Sequence, residues 1–232
     1  MPEHRRARRN IAERLSNAGL NRDEEAVRKA ILTAFADQGK APSVQELAYT
    51  LGLPLAPVLA ACRTLAAADL IVWQDATTQI VSAYPFSGSQ TAHAVLLGAH
   101  TTRYAMCAID ALGIPCMLGQ GACIRSACFF CGTPVTMEIA DGRLQGAAPS
   151  TLVVWLSEQE GCCVAAVRCP VMNFFCEDAH LRAWHAASPQ ERGRSLNVRE
   201  ALDVGKAAFG ALLTEGDVSA LADPRSLWLR DP

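Results

Sequence analysis

Apolar side chains recur at helical spacing from about Glu24 to Asp37, where Val27, Ile31, Leu32 and Phe35 fall on one face and Gly39 marks the stop. Ser43 with Glu46 three residues later forms a capping box and opens a second helix, Ser43 to Leu51, ended by Gly52. Pro54 starts a third, running to about Ala68. Two short apolar strands follow, Leu70-Ile71-Val72-Trp73 and Gln79-Ile80-Val81, around a polar turn. Three helices and a two-stranded wing read as a winged-helix-like unit over 22–83. The polar, Arg-rich residues 1–21 before it read as a flexible arm or an exposed helix.

Beyond residue 83 the pattern changes. The stretch from Ala83 to Thr102 looks irregular, and a helical run around Tyr104 to Leu112 is stopped by Gly113 and Pro115. Ala122 to Ala127, Pro134 to Ile139, Thr151 to Leu156 and Cys163 to Val167 read as strands. Asp178 to Ala187 and Val198 to Leu213 read as helices. The expectation is an α+β chain: the winged-helix-like unit, then a small mixed sheet flanked by helices over 84–215, then a tail over 216–232.

Composition narrows the class. The chain has 232 residues, half of them hydrophobic and 19% charged, which suits a packed globule that needs no staple to fold. Net charge is −2, so the chain as a whole is no polyanion binder. Residues 1–30 hold eight basic side chains, but residues 41–70 hold only Arg63 against Glu46 and Asp69. A recognition helix meeting phosphates needs more positive charge, so a packing or covering role is expected for this unit, without specific nucleic-acid binding. No apolar run approaches the length of a membrane span, and no secretory pattern opens the sequence. The expected location is cytoplasmic, where thiols stay reduced.

Ten cysteines therefore point to soft-metal or thiol chemistry as well as to packing. Cys107 and Asp110 stand three apart on the helical run and share a face. A carboxylate beside a thiol raises the thiol pKa, a poor design for a simple nucleophile. It is a good design where the acid must hand a proton to something the sulfur holds. Cys128-Phe129-Phe130-Cys131-Gly132 has knuckle spacing. A zinc site needs a second pair, however, and no second C-x-x-C exists. The adjacent Cys162 and Cys163 offer at most one ligand to a common site. Cys169 follows an apolar stretch where the chain turns at Pro170, next to Arg168.

These residues together carry a resemblance. Tyr104-Ala105-Met106-Cys107-Ala108-Ile109-Asp110-Ala111-Leu112, Pro115, Cys128 with Gly132-x-Pro134-Val135, Cys169 with Phe174-Phe175, and Asn197-Val198-Arg199-Glu200-Ala201 followed by Gly205 resemble the organomercurial (alkylmercury) lyase family over about 25–213. The resemblance implies a winged-helix-like N-terminal part that is no DNA reader. It implies Cys107, Asp110 and Cys169 as catalytic residues and as the groups that hold mercury, and Cys128 as a structural cysteine. It also implies protonolysis of a carbon–mercury bond without an organic cofactor. The products would be a hydrocarbon and thiol-bound Hg(II), which small thiols or a mercuric reductase would accept. The chain adds Cys116, Cys123, Cys131, Cys162, Cys163 and Cys176, which keep open a thiol-rich Hg(II) or Cu(I) carrier or sensor, or a zinc-stabilised DNA-binding protein.

Overall fold

A computed structural model describes residues 11–98, 101–159 and 164–213. The basic stretch 1–10, the tail beyond 213, and Cys162 and Cys163 lie outside them. Four helices come first: α1 (Ile11–Ala18), α2 (Arg22–Gln38), α3 (Val44–Leu51) and α4 (Leu55–Ala67). Residues 11–18 are thus helical, with Ile11 and Leu15 buried. Asn21 and Ser43 make capping boxes with Glu24 and Glu46, which starts α2 and α3 where their polar-to-apolar pattern begins. Gly39 ends α2 at φ 70°, and the Arg103 guanidinium donates to the terminal carbonyls of Ala36 and Asp37, both at 2.7 Å. A side chain at position 39 would stand 3.0 Å from that guanidinium.

The hairpin β1 (Ile71–Gln74) and β2 (Gln79–Ala83) is antiparallel. It does not stop at itself: β2 pairs with β3 (Phe86–Ser87), which pairs with β5 (Thr101–Ala105). Then come β4 (His93–Leu97), β6 (Ala122–Ala127), β7 (Pro134–Ala140) and β8 (Arg143–Ala148). The eight strands lie in the order β1-β2-β3-β5-β4-β6-β7-β8, and every pairing is antiparallel. The helical unit and the following segment share this one sheet. The expected small mixed sheet is corrected to a large antiparallel one. The stretch 83–102, expected to be irregular, supplies β3 and β4 and the start of β5. They are short and interrupted by turns, so alternation is hard to read in them.

Against this sheet lies α5 (Ala108–Leu118), buried on nearly every side, crossed by α8 (Val198–Phe209). The run expected to end at Gly113 and Pro115 continues through both. Its start is also later than expected, because Tyr104 belongs to β5. Gly113 serves the crossing: a Cβ there would meet the Phe209 ring at 2.3 Å, and one at Gly205 would meet Gly113 N and Ile109 O at 2.9 Å. The packing of an apolar helix on all sides outweighs the local cost of Gly and Pro. A second sheet, β10-β9-β11, joins β9 (Val153–Ser157), β10 (Phe174–Phe175) and β11 (Gly193–Asn197), with α7 (Asp178–Ala187) beside it.

One stretch expected as strand is helix: Val164–Val167 forms the single turn α6. Its first amides are held from far away in sequence, Val164 N by the Asp69 carboxylate at 3.2 Å and Ala165 N by the Tyr84 hydroxyl at 2.7 Å. A cap supplied by distant residues leaves no local signature. Among the described residues no single helix is long and apolar enough to cross a membrane. The bent pair α3 and α4 has the apolar length, but breaks by 116° and buries one face of each helix in the core.

Candidate active site

Cys107, Asp110 and Cys169 meet in the interior. One sulfur or carboxylate oxygen from each lies within 4.8 Å of the others, and their relative exposures are 0%, 4% and 4%. Cys107 is not within the helix but caps it, in extended conformation, its Sγ accepting from Asp110 N at 3.4 Å. Asp110 sits in the first turn of α5, so the cap geometry sets carboxyl and thiol side by side. Cys169 comes from the turn after α6, with its amide bonded to Val164 O at 3.0 Å and its Sγ 3.8 Å from Asp110 Oδ2.

Burial shapes the acid–base character. Loss of water pushes the Asp110 carboxyl up to about 7, although hydrogen bonding from Cys107 and the Arg14 charge act the other way. Cys107 is held well above an ordinary thiol, by burial first and then by Cys169 and the Asp110 charge. For Cys169 a hydrogen bond with Cys107 favours the thiolate, as do Arg14 and Arg168, but burial and Asp110 outweigh them and its pKa is raised. The Arg168 guanidinium, whose charge favours the Cys169 thiolate, donates to the Ser157 carbonyl at 3.0 and 2.7 Å. At neutral pH both thiols keep their protons, next to a carboxyl poised to take or give one.

A supporting network escapes sequence reading. Arg14 of α1 forms a 2.7 Å ion pair with Asp69, stands over the Tyr84 ring at 4.6 Å, and places its charge where it acts on Asp110 and Cys169. The Tyr84 hydroxyl donates to Asp69 at 3.0 Å, and both residues hold the first amides of α6, just before Cys169. No spacing links positions 14, 69, 84 and 164. Arg14 was visible only as one of many arginines in a basic stretch.

Of the remaining cysteines, Cys62 is a core residue of α4, pushed up to about 11 by burial. Cys116 and Cys123 are half-buried and away from the trio. Cys128 and Cys131 lie in a second group, with Cys176 and His180. The sequence signal for His180 is the spacing Cys176-x-x-x-His180, a ligand spacing that is not a C-x-x-C. All eight described cysteines are free thiols.

A family model for alkylmercury lyase matches residues 86–210, more than half of the chain. Curated alkylmercury lyases resemble parts of it. That of Staphylococcus epidermidis is 26% identical over 170 residues, 73% of this chain and 75% of its own length. That of Streptomyces lividans is 30% identical over 114 residues, 48% of this chain and 51% of its own. That of Bacillus cereus is 27% identical over 104 residues, 44% of this chain and 47% of its own. The matched span is thus about half the length of the latter two. Among solved structures, the mercury-bound form of MerB2 shares the fold, with a TM-score of 0.75 and 23% identity over 88% of this chain and 99% of that one.

Proposed function

This chain belongs to the alkylmercury lyase family, and from that premise we propose that it cleaves carbon–mercury bonds by protonolysis at Cys107, Asp110 and Cys169. The observation that carries the reading is the convergence of two thiols and a carboxyl, all buried, within 4.8 Å. A carrier would be served by the thiols alone. The buried acid with a pKa near 7 suits a reaction that needs a proton delivered to carbon.

The steps balance as follows. The Cys107 thiol displaces the thiol that carries R–Hg, giving R–Hg–S and releasing that thiol with the proton. Asp110, as carboxylate, takes the proton of Cys169, whose thiolate then binds the same mercury. A second soft donor pushes electron density onto the metal and weakens the Hg–C bond. Asp110 returns the proton to carbon as the Hg–C electron pair leaves with it, giving R–H and mercury held by two thiolates. Asp110 ends as it began. Mercury is substrate and product here, and the proposed steps use no organic cofactor. A small thiol or a mercuric reductase then accepts Hg(II).

The winged-helix-like unit acts as cover and brace in this reading, through its Asp69 together with the preceding α1 and the following Tyr84, and not as a DNA reader. The cytoplasm, rich in thiols, is the compartment in which such a reaction turns over. The test is incubation with a phenylmercurial and excess thiol, with benzene measured. Wild type should release benzene. Cys107→Ser and Cys169→Ser should release none, since a hydroxyl is a hard, protonated donor. Benzene release by either variant at the wild-type rate would overturn the role of that cysteine, and no release by wild type would overturn the function.

A further inference from the structure

Cys128, Cys131, Cys176 and His180 bring three sulfurs and an imidazole nitrogen within 4.8 Å of one another. Two come from the turn that follows β6. There Cys128 N donates to Thr133 O and Gly132 N to Cys128 O, both at 2.8 Å, with Gly132 at φ 74°. The other two come from the residue after β10 and from the first turn of α7. The Cys131–Cys176 sulfurs are 3.8 Å apart, as are Cys128 Sγ and His180 Nδ1. Around a tetrahedral zinc with Zn–S bonds of about 2.3 Å, two sulfurs stand about 3.8 Å apart. Cys176 Sγ and His180 Nδ1 are closer, at 2.9 Å, a thiol–imidazole hydrogen bond that ligation would replace.

The imidazole is oriented for this. Its Nδ1 faces the thiols, while Nε2 lies 3.4 Å from the Glu177 carboxylate. A carboxylate on the far nitrogen is the usual way a ligating histidine is fixed in tautomer and direction. The Phe130 ring lies tilted beside it, 5.1 Å between centroids. The second pair that a knuckle needs is therefore not another C-x-x-C but Cys176-x-x-x-His180.

We propose that these four residues form a resident zinc site, separate from the buried trio, which clips the β6–β7 turn of the large sheet to β10 and α7. The donor set is closed: three thiolates and one imidazole complete a tetrahedron and leave no open position, the mark of a structural zinc. The clip falls where the fold is thin. Strand β10 has only two residues, and the Phe129 N to Phe174 O bond at 2.9 Å is one backbone link it makes to the turn. Residues 169–176 run from the second thiol of the trio to a zinc ligand, so the metal fixes the far end of the segment that presents Cys169.

The test needs no mercury and does not depend on the lyase reading. Full-length protein produced with zinc in the medium and passed through a desalting column is analysed for metal. About one zinc per chain is expected, falling to background in Cys131→Ser and in Cys176→Ser. It should persist in the Cys107→Ser/Cys169→Ser double variant. His180→Cys should retain zinc through four thiolates, which guards against loss by mere misfolding. Cobalt(II) exchanged into wild type should give the intense visible bands and thiolate charge transfer of a tetrahedral site. Zinc at background in wild type, zinc lost only with Cys107 and Cys169, octahedral cobalt, or a Cys131–Cys176 disulfide in place of metal would each overturn the proposal.

Discussion

In an unfolded chain an aspartate gives up its proton near pH 3.9, but buried Asp110 keeps its proton up to about pH 7. Between those values the folded state binds more protons, so this residue lowers stability as pH rises through the window. Asp110→Asn should therefore show no advantage at pH 4, a growing one toward pH 7, and a constant one above, on the order of a few kcal/mol. Urea unfolding of both proteins at several pH values measures it, and a difference independent of pH would contradict the buried-acid picture. His93, buried and pushed down to about 4, costs stability as pH falls below about 6.5. It does so in both proteins and cancels in the difference. Tyr84→Phe tests the brace: it leaves Ala165 N without its acceptor and should destabilise by about 1–3 kcal/mol, with slower cleavage because Cys169 sits just beyond. Unchanged stability and rate would remove Tyr84 from the account. The trio was legible because Cys107 and Asp110 are near in sequence and Cys169 follows a family pattern. Tyr84, Asp69 and Arg14 were not, because their roles exist only once distant segments meet.

Helix α5 presents two of the three site residues, and its place is set by one close crossing. At Gly113 and Gly205 the α5 and α8 backbones touch, with no room for a methyl group. Gly205→Ala puts a carbon 2.9 Å from backbone atoms of Gly113 and Ile109, which cannot rotate away as a side chain could. Overpacking of this kind costs about 1–3 kcal/mol, and relief by sliding α5 would move Cys107 and Asp110. The expected outcome is a lower thermal midpoint together with reduced cleavage, and wild-type values for both would contradict the crossing. The elements with strong local signals, α2, α3, β6, α7 and α8, were readable from caps and periodicity. Those that failed were governed by tertiary context: α5 runs through Gly113 and Pro115 because it is buried all round, α6 takes its cap from Asp69 and Tyr84, and β3 to β5 form because a sheet edge awaits them.

For the molecule as a whole, three arginines of the described N-terminal helices are already committed to carboxylates. Arg14 and Arg28 are buried and paired with Asp69 and Glu25, and Arg63 on α4 is 3.1 Å from Asp75 of the hairpin turn. A surface for phosphates needs free cations. Duplex DNA titrated with the full chain should accordingly show no sequence-dependent, salt-sensitive binding. A specific complex that weakens steeply with salt would overturn the covering role and make the chain a sensor. The shape class, α+β with helices before sheet, was legible from pattern. The continuity of one antiparallel sheet from the hairpin to β8 was not, since strand pairing across the boundary near residue 83 rests on segments of two to five residues.

The central claim is that Asp110 separates cleavage from mercury holding, and one paired measurement on Asp110→Asn tests it most directly. Stoichiometric Hg(II) titration should give the same tight binding as wild type, because both thiols remain. Single-turnover hydrocarbon release from a bound organomercurial should fall by about 10²–10⁴, the usual contribution of a positioned general acid. Equal release rates in the two proteins would contradict the account, and the proton would then come from water or another residue.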